Sequence, residues 1–274
     1  MAKVKVALAQ MPVVEDKEAN LRTAAEYVKR AADQGAKLIS LPEMFCCLYE
    51  TASFIKAAEP KGERVWEALR RMAEDNKVYL VGGSMPEKEK NKLYNTCFIF
   101  GPDGNQIGRH RKVHLFDIDV KGGQYFKESD TFSAGDDITL IYTPYAKVGI
   151  VLCFDIRFIE QARILALQGA ELLFAPGAFN MSTGPAHWEL LYRSRALDNQ
   201  VFMLGCAPAR DENGPYVSYG NSLIVDPWGT VIARLDGEPG LILEEIDTDM
   251  ISSVRDQLPL MDARRTDLYG VMMV

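Results

Sequence analysis

Two stretches of this sequence resemble each other: Ala36-Lys37-Leu38-Ile39-Ser40-Leu41-Pro42 in the first half and Ala170-Glu171-Leu172-Leu173-Phe174-Ala175-Pro176 in the second. A further pair, Val78-Tyr79-Leu80-Val81-Gly82 and Val201-Phe202-Met203-Leu204-Gly205, follows in the same order. Each stretch is a short apolar run bounded by turn residues, which is the pattern of a strand buried on both faces. The two halves of the chain are therefore predicted to repeat one structural unit.

Turns and helices follow the same division into halves. Each repeated pair leads to residues with hairpin-turn chemistry, Gly101-Pro102-Asp103-Gly104 in the first half and Asp226-Pro227-Trp228-Gly229 in the second. Apolar residues recur at helical spacing in several segments, and short apolar runs predict buried strands. The predicted helices cover residues 20–34, 63–76 and 157–168, and the predicted strands cover residues 4–9, 37–41, 78–82, 97–100, 148–154, 172–175 and 201–204.

The alternation of strands and helices indicates an α/β protein. Because the pattern of each half predicts helices packed on one sheet, the simplest arrangement stacks two mixed sheets face to face, with the helices on the outside. The predicted fold is a four-layer αββα sandwich with an internal pseudo-twofold repeat. No linker rich in Pro, Gly or Ser separates the halves, so we predict a single domain over residues 1–274, with a C-terminal arm over residues 257–274.

Composition excludes several classes of function. The 274 residues are 47% hydrophobic and 25% charged, as in ordinary globular proteins. The net charge is −7, and the short basic run at residues 109–112 is too small for a nucleic-acid-binding face. The longest stretch without a charged residue, residues 172–188, contains proline and glycine, so no membrane-spanning helix is predicted. The five cysteines are odd in number and show no C-x-x-C spacing, and the first residues already have the pattern of a strand. Together these features predict reduced thiols in the cytoplasm.

Three polar residues stand directly after apolar runs. Glu43 and Cys153 end two such runs, and Lys112 follows a predicted strand at residues 106–110. Because the carboxyl ends of neighbouring strands converge in α/β proteins, an acid, a base and a thiol could meet there. Each residue alone has a plainer reading, as a solvated carboxylate, a surface ammonium or a buried inert thiol. Only their combination points to catalysis.

Other catalytic patterns are missing from the sequence. It contains no G-x-S-x-G serine elbow, no G-x-G-x-x-G fingerprint and no Walker A motif. Three histidines are too few for most zinc sites, and His110 and His114, although four residues apart, lack the Glu of H-E-x-x-H. We therefore predict no metal and no organic cofactor. A Cys–His pair that uses His114 or His187 stays open as an alternative.

The three polar residues lie in motifs that resemble the signatures of the nitrilase superfamily of carbon–nitrogen hydrolases. The motifs are Leu41-Pro42-Glu43-Met44-Phe45, Arg111-Lys112-Val113-His114-Leu115 and Val151-Leu152-Cys153-Phe154-Asp155-Ile156-Arg157-Phe158. The internal duplication agrees with that family's αββα sandwich. Within the superfamily the sequence most resembles omega-amidases, which hydrolyse the terminal amide of α-ketoglutaramate and α-ketosuccinamate. The resemblance lies in residues 115–120, 125–129, 176–180 and 183–191, whereas residues 46–49 and Ser182 depart from the pattern.

The resemblance implies a cysteine-dependent amidohydrolase that releases ammonia from a small dicarboxylic monoamide through a thioester. Cys153 would attack the amide carbon, while Glu43 would carry the proton from the thiol to the leaving nitrogen and later activate water. Lys112, whose charge we expect to stabilise the Cys153 thiolate, would face the developing oxyanion together with the backbone N–H of Phe154. Glu128, which matches the family's second glutamate, would orient Lys112 or the substrate; a solvated loop carboxylate is the plainer alternative.

Substrate selection is expected from Arg157, whose guanidinium would bind the substrate carboxylate, and from Phe179 and Thr183, which match positions that line the acyl pocket. The plainer alternatives are a surface ion pair for Arg157 and core packing for Phe179. The loop over residues 116–129 could act as a lid through its Gly122-Gly123 pair. The resemblance further implies a homodimer. Alternative functions are hydrolysis of a deaminated-glutathione-type amide, an N-carbamoyl compound or a nitrile, and a catalytically silent scaffold.

Overall fold

The computed structural model describes residues 3–119 and 125–273. Two large mixed β-sheets form the centre of this part of the chain. The first sheet contains β1 (Lys3–Gln10), β2 (Leu38–Ser40), β3 (Tyr79–Val81), β4 (Met85–Glu89), β5 (Lys92–Phe100), β6 (Gln106–Arg111) and β15 (Gly240–Asp247). The strands β7 (Asp117–Asp119) and β8 (Tyr125–Lys127) pair as a separate ribbon. The second sheet contains β9 (Thr139–Tyr142), β10 (Lys147–Ile150), β11 (Leu172–Phe174), β12 (Phe202–Gly205), β13 (Leu223–Val225) and β14 (Val231–Arg234).

Apart from β4, which also pairs with β5, the two sheets have the same strand order and the same strand directions. In the first sheet β1, β2 and β3 are parallel neighbours, followed by the antiparallel strands β5 and β6. In the second sheet β10, β11 and β12 are parallel neighbours, followed by the antiparallel strands β13 and β14. At the other edge β15 pairs antiparallel with β1, as β9 does with β10. The internal repeat predicted from the sequence is therefore confirmed.

Three apolar cores separate four layers. The middle core lies between the sheets, where residues such as Val6 and Leu8 of the first sheet meet Val148 and Phe174 of the second. The outer cores lie between each sheet and its helices. The predicted αββα sandwich is thus confirmed, because burial on both faces of each sheet requires a second sheet on one side and helices on the other. The helices are α1 (Lys17–Asp33), α2 (Thr51–Ala57), α3 (Arg64–Asn76), α4 (Ile159–Leu167), α5 (Gly184–Asn199) and α6 (Asp249–Gln257).

The structure corrects the predicted strand over residues 148–154. The strand β10 ends at Ile150, and Cys153–Arg157 form a short 3-10 helix that is separated from α4 by one residue, Phe158. Periodicity could not show this because the apolar run continues beyond the strand and stays buried. The predicted helix over residues 157–168 accordingly begins at Ile159, and a strand-to-helix turn places Cys153 at the carboxyl edge of the second sheet.

Helix α5 was not predicted from the sequence. Its buried residues include the aromatic Trp188 and Tyr192 but also the polar Arg195 and Asn199, so apolar side chains do not form one clean stripe. The helix begins with Gly184 and a proline, in agreement with the preference for proline in the first turn. It packs against α4 and β12 and covers the second sheet close to the Cys153 turn.

Two further predictions concern the chain's loops and end. The Gly122-Gly123 pair of the proposed lid lies outside the described residues. Within the predicted C-terminal arm, Leu258 and Met261 contact their own chain, since the carbonyl of Leu258 accepts a hydrogen bond from Gln200 and Met261 packs against the outer core. Beyond them the arm presents exposed apolar side chains, namely Leu268, Tyr269, Met272 and Met273. Among the described residues no helix is long and apolar enough to span a membrane.

Candidate active site

The turn that carries Cys153 has a strained backbone. Cys153 has a φ of 48°, in the left-handed region that residues other than glycine rarely adopt. Its N–H donates to the carbonyl of Pro176, which lies beyond the neighbouring strand β11. Gly177 approaches so closely that a Cβ there would stand 3.3 Å from the Cα of Cys153. A strained backbone that the surroundings hold this firmly is typical of functional sites.

Glu43 reaches the same place from the first sheet, in the turn after β2. The following residue, Met44, also has a positive φ, of 53°, and its N–H donates to Ser84. The Oε2 of Glu43 accepts the backbone N–H of Ala178 at 2.8 Å. The Glu43 carboxylate and the Ala178 N–H both lie near enough to the Cys153 thiol to shift its pKa, Glu43 upwards and Ala178 downwards. The predicted meeting of Glu43 with Cys153 is therefore present in the geometry.

Lys112, directly after β6, lies between two carboxylates. Its Nζ donates to Glu43 Oε1 at 3.1 Å and to Glu128 Oε2 at 2.8 Å. The Nδ2 of Asn95 also bridges the pair, at 2.9 Å from Glu43 Oε1 and 3.1 Å from Glu128 Oε1. The side chains of Lys112 and both glutamates have 0% exposure, so the solvated-loop alternative for Glu128 is wrong.

Burial and charge set the protonation of this cluster. Burial alone would lower the pKa of Lys112, but the carboxylates of Glu128 and Glu43 outweigh it and raise that pKa well above its ordinary value. Burial raises the pKa of Glu128 although Lys112 opposes the change. Burial and the Glu43 charge also raise the pKa of the Cys153 thiol well above its ordinary value. Lys112 opposes this rise, in the direction expected from its charge, but burial and Glu43 outweigh it.

Arg157 lies one turn from the nucleophile, and its charge has no carboxylate partner among the described residues. Its guanidinium carbon stands 4.9 Å from the ring centre of Phe179 and 5.5 Å from that of Phe154. One amino group lies 3.2 Å from Nδ1 of His187, while the buried Nε has no hydrogen-bond partner among the described residues. In this part of the chain no carboxylate lies within 4.0 Å of Arg157, so the structure does not place it in a surface ion pair.

The other two pocket residues have different surroundings. Phe179 is buried, with 4% exposure, and its ring meets that of Trp188 edge to face, so it both packs in the core and faces Arg157. Thr183 precedes α5, and its hydroxyl donates to Oδ1 of Asn180 at 3.1 Å. The hydroxyl proton of Thr183 is thus already used within the protein, which leaves its oxygen as an acceptor.

Tyr49 is a candidate that the sequence motifs did not identify. Its hydroxyl is buried and has no hydrogen-bond partner among the described residues. Burial and the neighbouring Glu128, Glu43 and Cys153 raise the pKa of Tyr49 well above its ordinary value, which places the phenol beside the cluster. Together with Tyr216 and Glu43 it lines a cavity of about 40 Å³. The departure of residues 46–49 from the omega-amidase pattern was the available signal in the sequence.

The alternative Cys–His pair does not match these contacts. His114 is hydrogen-bonded through Nδ1 to Asp155, and His187 through Nδ1 to Arg157. In the part of the chain that the structure describes, no three His, Cys, Asp or Glu side chains lie together in a way that could bind a metal ion.

Comparison with known proteins decides the family. The model of the carbon-nitrogen hydrolase family matches residues 5–256. The chain belongs to the carbon–nitrogen hydrolase family. It is 49% identical over 271 residues to omega-amidase NIT2-A of Xenopus laevis, covering 99% of this chain and 98% of that one. It is 45% identical over 273 residues to omega-amidase NIT2 of Homo sapiens, covering 100% and 99%.

Solved structures of this hydrolase family have the same fold. Nit3 of Saccharomyces cerevisiae, described as a member of branch 10 of the nitrilase superfamily, superposes with a TM-score of 0.88 and 41% identity over 96% of this chain and 97% of that one. The NitFhit protein of C. elegans gives a TM-score of 0.91 and 31% identity over 99% of this chain and 67% of that one. The resemblance inferred from the motifs is confirmed, and the chain is an enzyme that hydrolyses carbon–nitrogen bonds.

Proposed function

We propose that this enzyme hydrolyses the terminal amide of a small dicarboxylic monoamide, such as α-ketoglutaramate or α-ketosuccinamate, and releases ammonia. The relatives named omega-amidase support the reaction class. The observation that carries the substrate class is the half-buried charge of Arg157 beside the Cys153 turn, which has no carboxylate partner in the part of the chain that the structure describes. A desolvated guanidinium without a protein carboxylate is suited to an anionic ligand, which it can bind through two parallel hydrogen bonds.

In the first half of the proposed reaction, the Cys153 sulfur attacks the amide carbon. Its proton passes to the neighbouring Glu43 carboxylate, which lies near enough to the thiol to raise its pKa. The carbonyl oxygen becomes an oxyanion, which Lys112 and the backbone N–H of Phe154 stabilise. The carbon–nitrogen bond then breaks as the protonated Glu43 gives its proton to the nitrogen. Ammonia departs, and the acyl group stays on Cys153 as a thioester.

In the second half, water cleaves the thioester. Glu43, again a carboxylate, takes a proton from the water while the water oxygen attacks the thioester carbon. The second oxyanion uses the same donors as the first. When the carbon–sulfur bond breaks, Glu43 returns the proton to sulfur. The dicarboxylic acid is released, and Cys153 is again a neutral thiol. Glu128 contacts Lys112 and the N–H of Phe116, which supports a role in holding Lys112 in place.

The acyl group is proposed to lie between the thiol and Arg157. Arg157 would bind the distal carboxylate, and the ring of Phe179 would form an apolar wall beside it. Tyr49 is suited to donate to a substrate oxygen, because its buried hydroxyl has no partner among the described residues. Thr183 would contribute an acceptor at the start of α5.

We also propose a homodimer in a reducing compartment such as the cytoplasm. The exposed apolar side chains of Leu268, Tyr269, Met272 and Met273 support a partner surface. All five cysteines are free thiols, which supports a reducing compartment. Sedimentation velocity tests the oligomeric state; a monomer at micromolar concentration would contradict the dimer.

The test of catalysis compares two cysteine variants. Cys153→Ala should abolish ammonia release and the thioester adduct seen by intact mass, with the folded state retained. Cys97→Ala is the matched control, because Cys97 is equally buried but lies in the core between the sheets. If Cys153→Ala keeps the parent's turnover, Cys153 is not the nucleophile.

The test of the substrate class is a panel of amides. Ammonia release is measured from α-ketoglutaramate, succinamate, N-carbamoyl amino acids, nitriles and neutral amides of similar length. Arg157→Met should raise KM for the anionic amides by about 10-fold or more and leave neutral amides unchanged, since a charged hydrogen bond contributes about 1.5–3 kcal/mol. Arg163→Met, one turn along α4, is the control. An equal effect of Arg157→Met on anionic and neutral amides would remove the proposed substrate class.

A further inference from the structure

The buried carboxylate of Asp155 takes no part in the reaction described above, but its hydrogen bonds link the segments that carry Lys112 and Cys153. Asp155 has 0% exposure and lies two positions after Cys153. Its Oδ1 accepts the backbone N–H and the Nδ1 of His114, each at 2.8 Å. Its Oδ2 accepts the backbone N–H of Leu152 at 3.0 Å and lies 3.1 Å from Nε2 of His110. Asp155 therefore has four hydrogen-bond donors around one carboxylate.

The protonation of this cluster follows from these contacts. Burial alone would raise the pKa of Asp155, but the hydrogen bonds from His110 and His114 outweigh it and hold that pKa well below its usual range. An ionised carboxylate is only an acceptor. The Nε2 of His110 and the Nδ1 of His114 must both carry a proton that they donate to Asp155.

The two histidines flank the active-site lysine. His110 lies two residues before Lys112, and His114 two residues after it. The strand β6 that leads to Lys112 belongs to the first sheet, whereas Asp155 follows β10 of the second. One carboxylate thus fixes the lysine segment at both ends against the turn that carries Cys153.

From this geometry we infer that Asp155 is a positioning residue, which through His110 and His114 holds the Lys112 ammonium in register with the Cys153 sulfur. The inference rests on the roles proposed for Lys112 and Cys153. An oxyanion donor must stand within a few tenths of an ångström of its place, and a displacement of about 1 Å costs roughly 100-fold in rate. Asp155 does not contact the acyl pocket through any of its four bonds, so its loss should act on kcat and spare KM.

The first experiment replaces the carboxylate by its isosteric amide. Asp155→Asn keeps the shape, but its NH2 group must face two of the four donors. We expect kcat to fall by about 10- to 100-fold with KM changed by less than about threefold. Asp226→Asn is the matched control, since Asp226 is also buried and accepts the backbone N–H of Trp228 and Thr230 in a hairpin turn away from the site. Both of these N–H groups bond to Oδ1, which the asparagine can replace with its own oxygen, so the control should keep its stability and its kcat.

A second pair of variants keeps the inference testable if Asp155→Asn does not fold. His114→Asn and His114→Leu both lose the stacking of the imidazole on Phe158, whose ring centre lies 3.7 Å away. Only the asparagine retains a side-chain N–H that can reach Asp155 in place of Nδ1. We expect kcat of His114→Leu to fall by about 10-fold and that of His114→Asn to stay within about threefold of the parent, with KM unchanged in both.

These measurements use the amide of the panel with the fastest ammonia release, so they remain decisive even if the proposed acyl group is wrong. Equal kcat values for His114→Leu and His114→Asn would overturn the inference, as would a loss in Asp155→Asn that appears in KM alone. A rescue by asparagine but not by leucine supports it, because a merely structural role of His114 would affect both variants alike.

Discussion

The role of Glu128 can be tested through the hydrogen bonds around its carboxylate. Every neighbour is a donor: Lys112 Nζ at 2.8 Å and the Phe116 N–H at 2.6 Å on Oε2, and Asn95 Nδ2 at 3.1 Å on Oε1. Glu128→Gln keeps the shape but offers only one oxygen. If that oxygen takes the place of Oε2, the new NH2 group faces the NH2 of Asn95.

Asn95 cannot relieve this conflict without a second loss. Rotating its amide would bring its Oδ1, which has no partner within residues 3–119 and 125–273, towards the glutamine. The same rotation withdraws Nδ2 from Glu43, to which it donates at 2.9 Å. One buried donor is therefore left unsatisfied, at a cost of about 1–3 kcal/mol. Replacing a charged acceptor of Lys112 by a neutral one costs about 1 kcal/mol more. We expect the free energy of unfolding to fall by about 2–4 kcal/mol in total.

The same substitution should slow the reaction. With Glu128 neutral, Lys112 is drawn to Glu43 alone, so the ammonium moves and Glu43 becomes a weaker base. We expect kcat to fall by about 100-fold, the effect of a displacement of about 1 Å or of a weakened general base. An unchanged KM would show that Glu128 acts on Lys112, whereas a raised KM would show that it contacts the substrate amide.

The assays are urea unfolding and steady-state ammonia release. Glu59→Gln is the matched control, because the Glu59 carboxylate is also buried and accepts the N–H of Arg64 at 2.9 Å and of Val65 at 3.0 Å at the start of α3. The control should lose stability and keep kcat. A Glu128→Gln enzyme with the parent's stability and kcat would refute the account of Glu128 as an acceptor that holds Lys112.

Three further substitutions test the backbone, the pocket and the buried aspartate. Gly177→Ala puts a Cβ 3.3 Å from the Cα of Cys153, so we expect kcat to fall about 10-fold and stability by about 1–3 kcal/mol. Tyr49→Phe removes a hydroxyl without a partner among the described residues, so stability should not fall, while KM rises about 10-fold if the hydroxyl binds substrate. The pKa of Asp155 is depressed in the folded state, so its contribution to stability is complete above the unfolded pKa of about 4 and is lost as the pH falls towards the folded value. The stability difference between the parent and Asp155→Asn should shrink accordingly in urea titrations below about pH 4.

Each of these predictions has a contrary outcome. Gly101→Ala controls for Gly177→Ala, because the closest contacts of its Cβ are the side chains of Asp103 at 3.1 Å and Ile107 at 3.4 Å and no backbone atom lies nearer than 3.8 Å. Equal effects at both positions would mean that the Cys153 turn can yield. A clear loss of stability in Tyr49→Phe would show that the hydroxyl has a partner in the free enzyme. A stability difference for Asp155→Asn that is constant with pH would show that the carboxylate is not ionised in the folded state.

Regular periodicity explains what the sequence predicted correctly. The repeated apolar runs around Leu38 and Leu172 mark strands buried on both faces, and the glycines after α1 and α4 mark helix ends at positive φ. Because the two halves repeat, the same pattern predicted both sheets and their stacking. Glu43 and Lys112 were found because polar residues directly after apolar runs stand out in an α/β sequence.

What the sequence missed depends on backbone groups and on burial. The N–H of Ala178, which donates to Glu43, has no signature in the residue type. Asn95 lies within an apolar strand, where an amide is as easily a packed polar residue as a bridge between two carboxylates. The direction of the Cys153 pKa could not be predicted, since the opposing effects of Lys112, Glu43 and burial depend on distances that the motif does not contain.

The charges of the site show why a protonated resting thiol suits the proposed reaction. Burial and Glu43 raise the pKa of Cys153, so the resting site holds a neutral thiol beside one carboxylate. During attack the thiol proton neutralises Glu43 while the substrate oxygen becomes negative, so the negative charge moves from Glu43 to the oxyanion and no new charge is created in the buried site. Lys112, whose pKa is raised, remains an ammonium throughout and loses one anionic neighbour as it gains another. A preformed thiolate would instead put a further negative charge near Glu43 and Glu128, where burial makes repulsion between like charges costly.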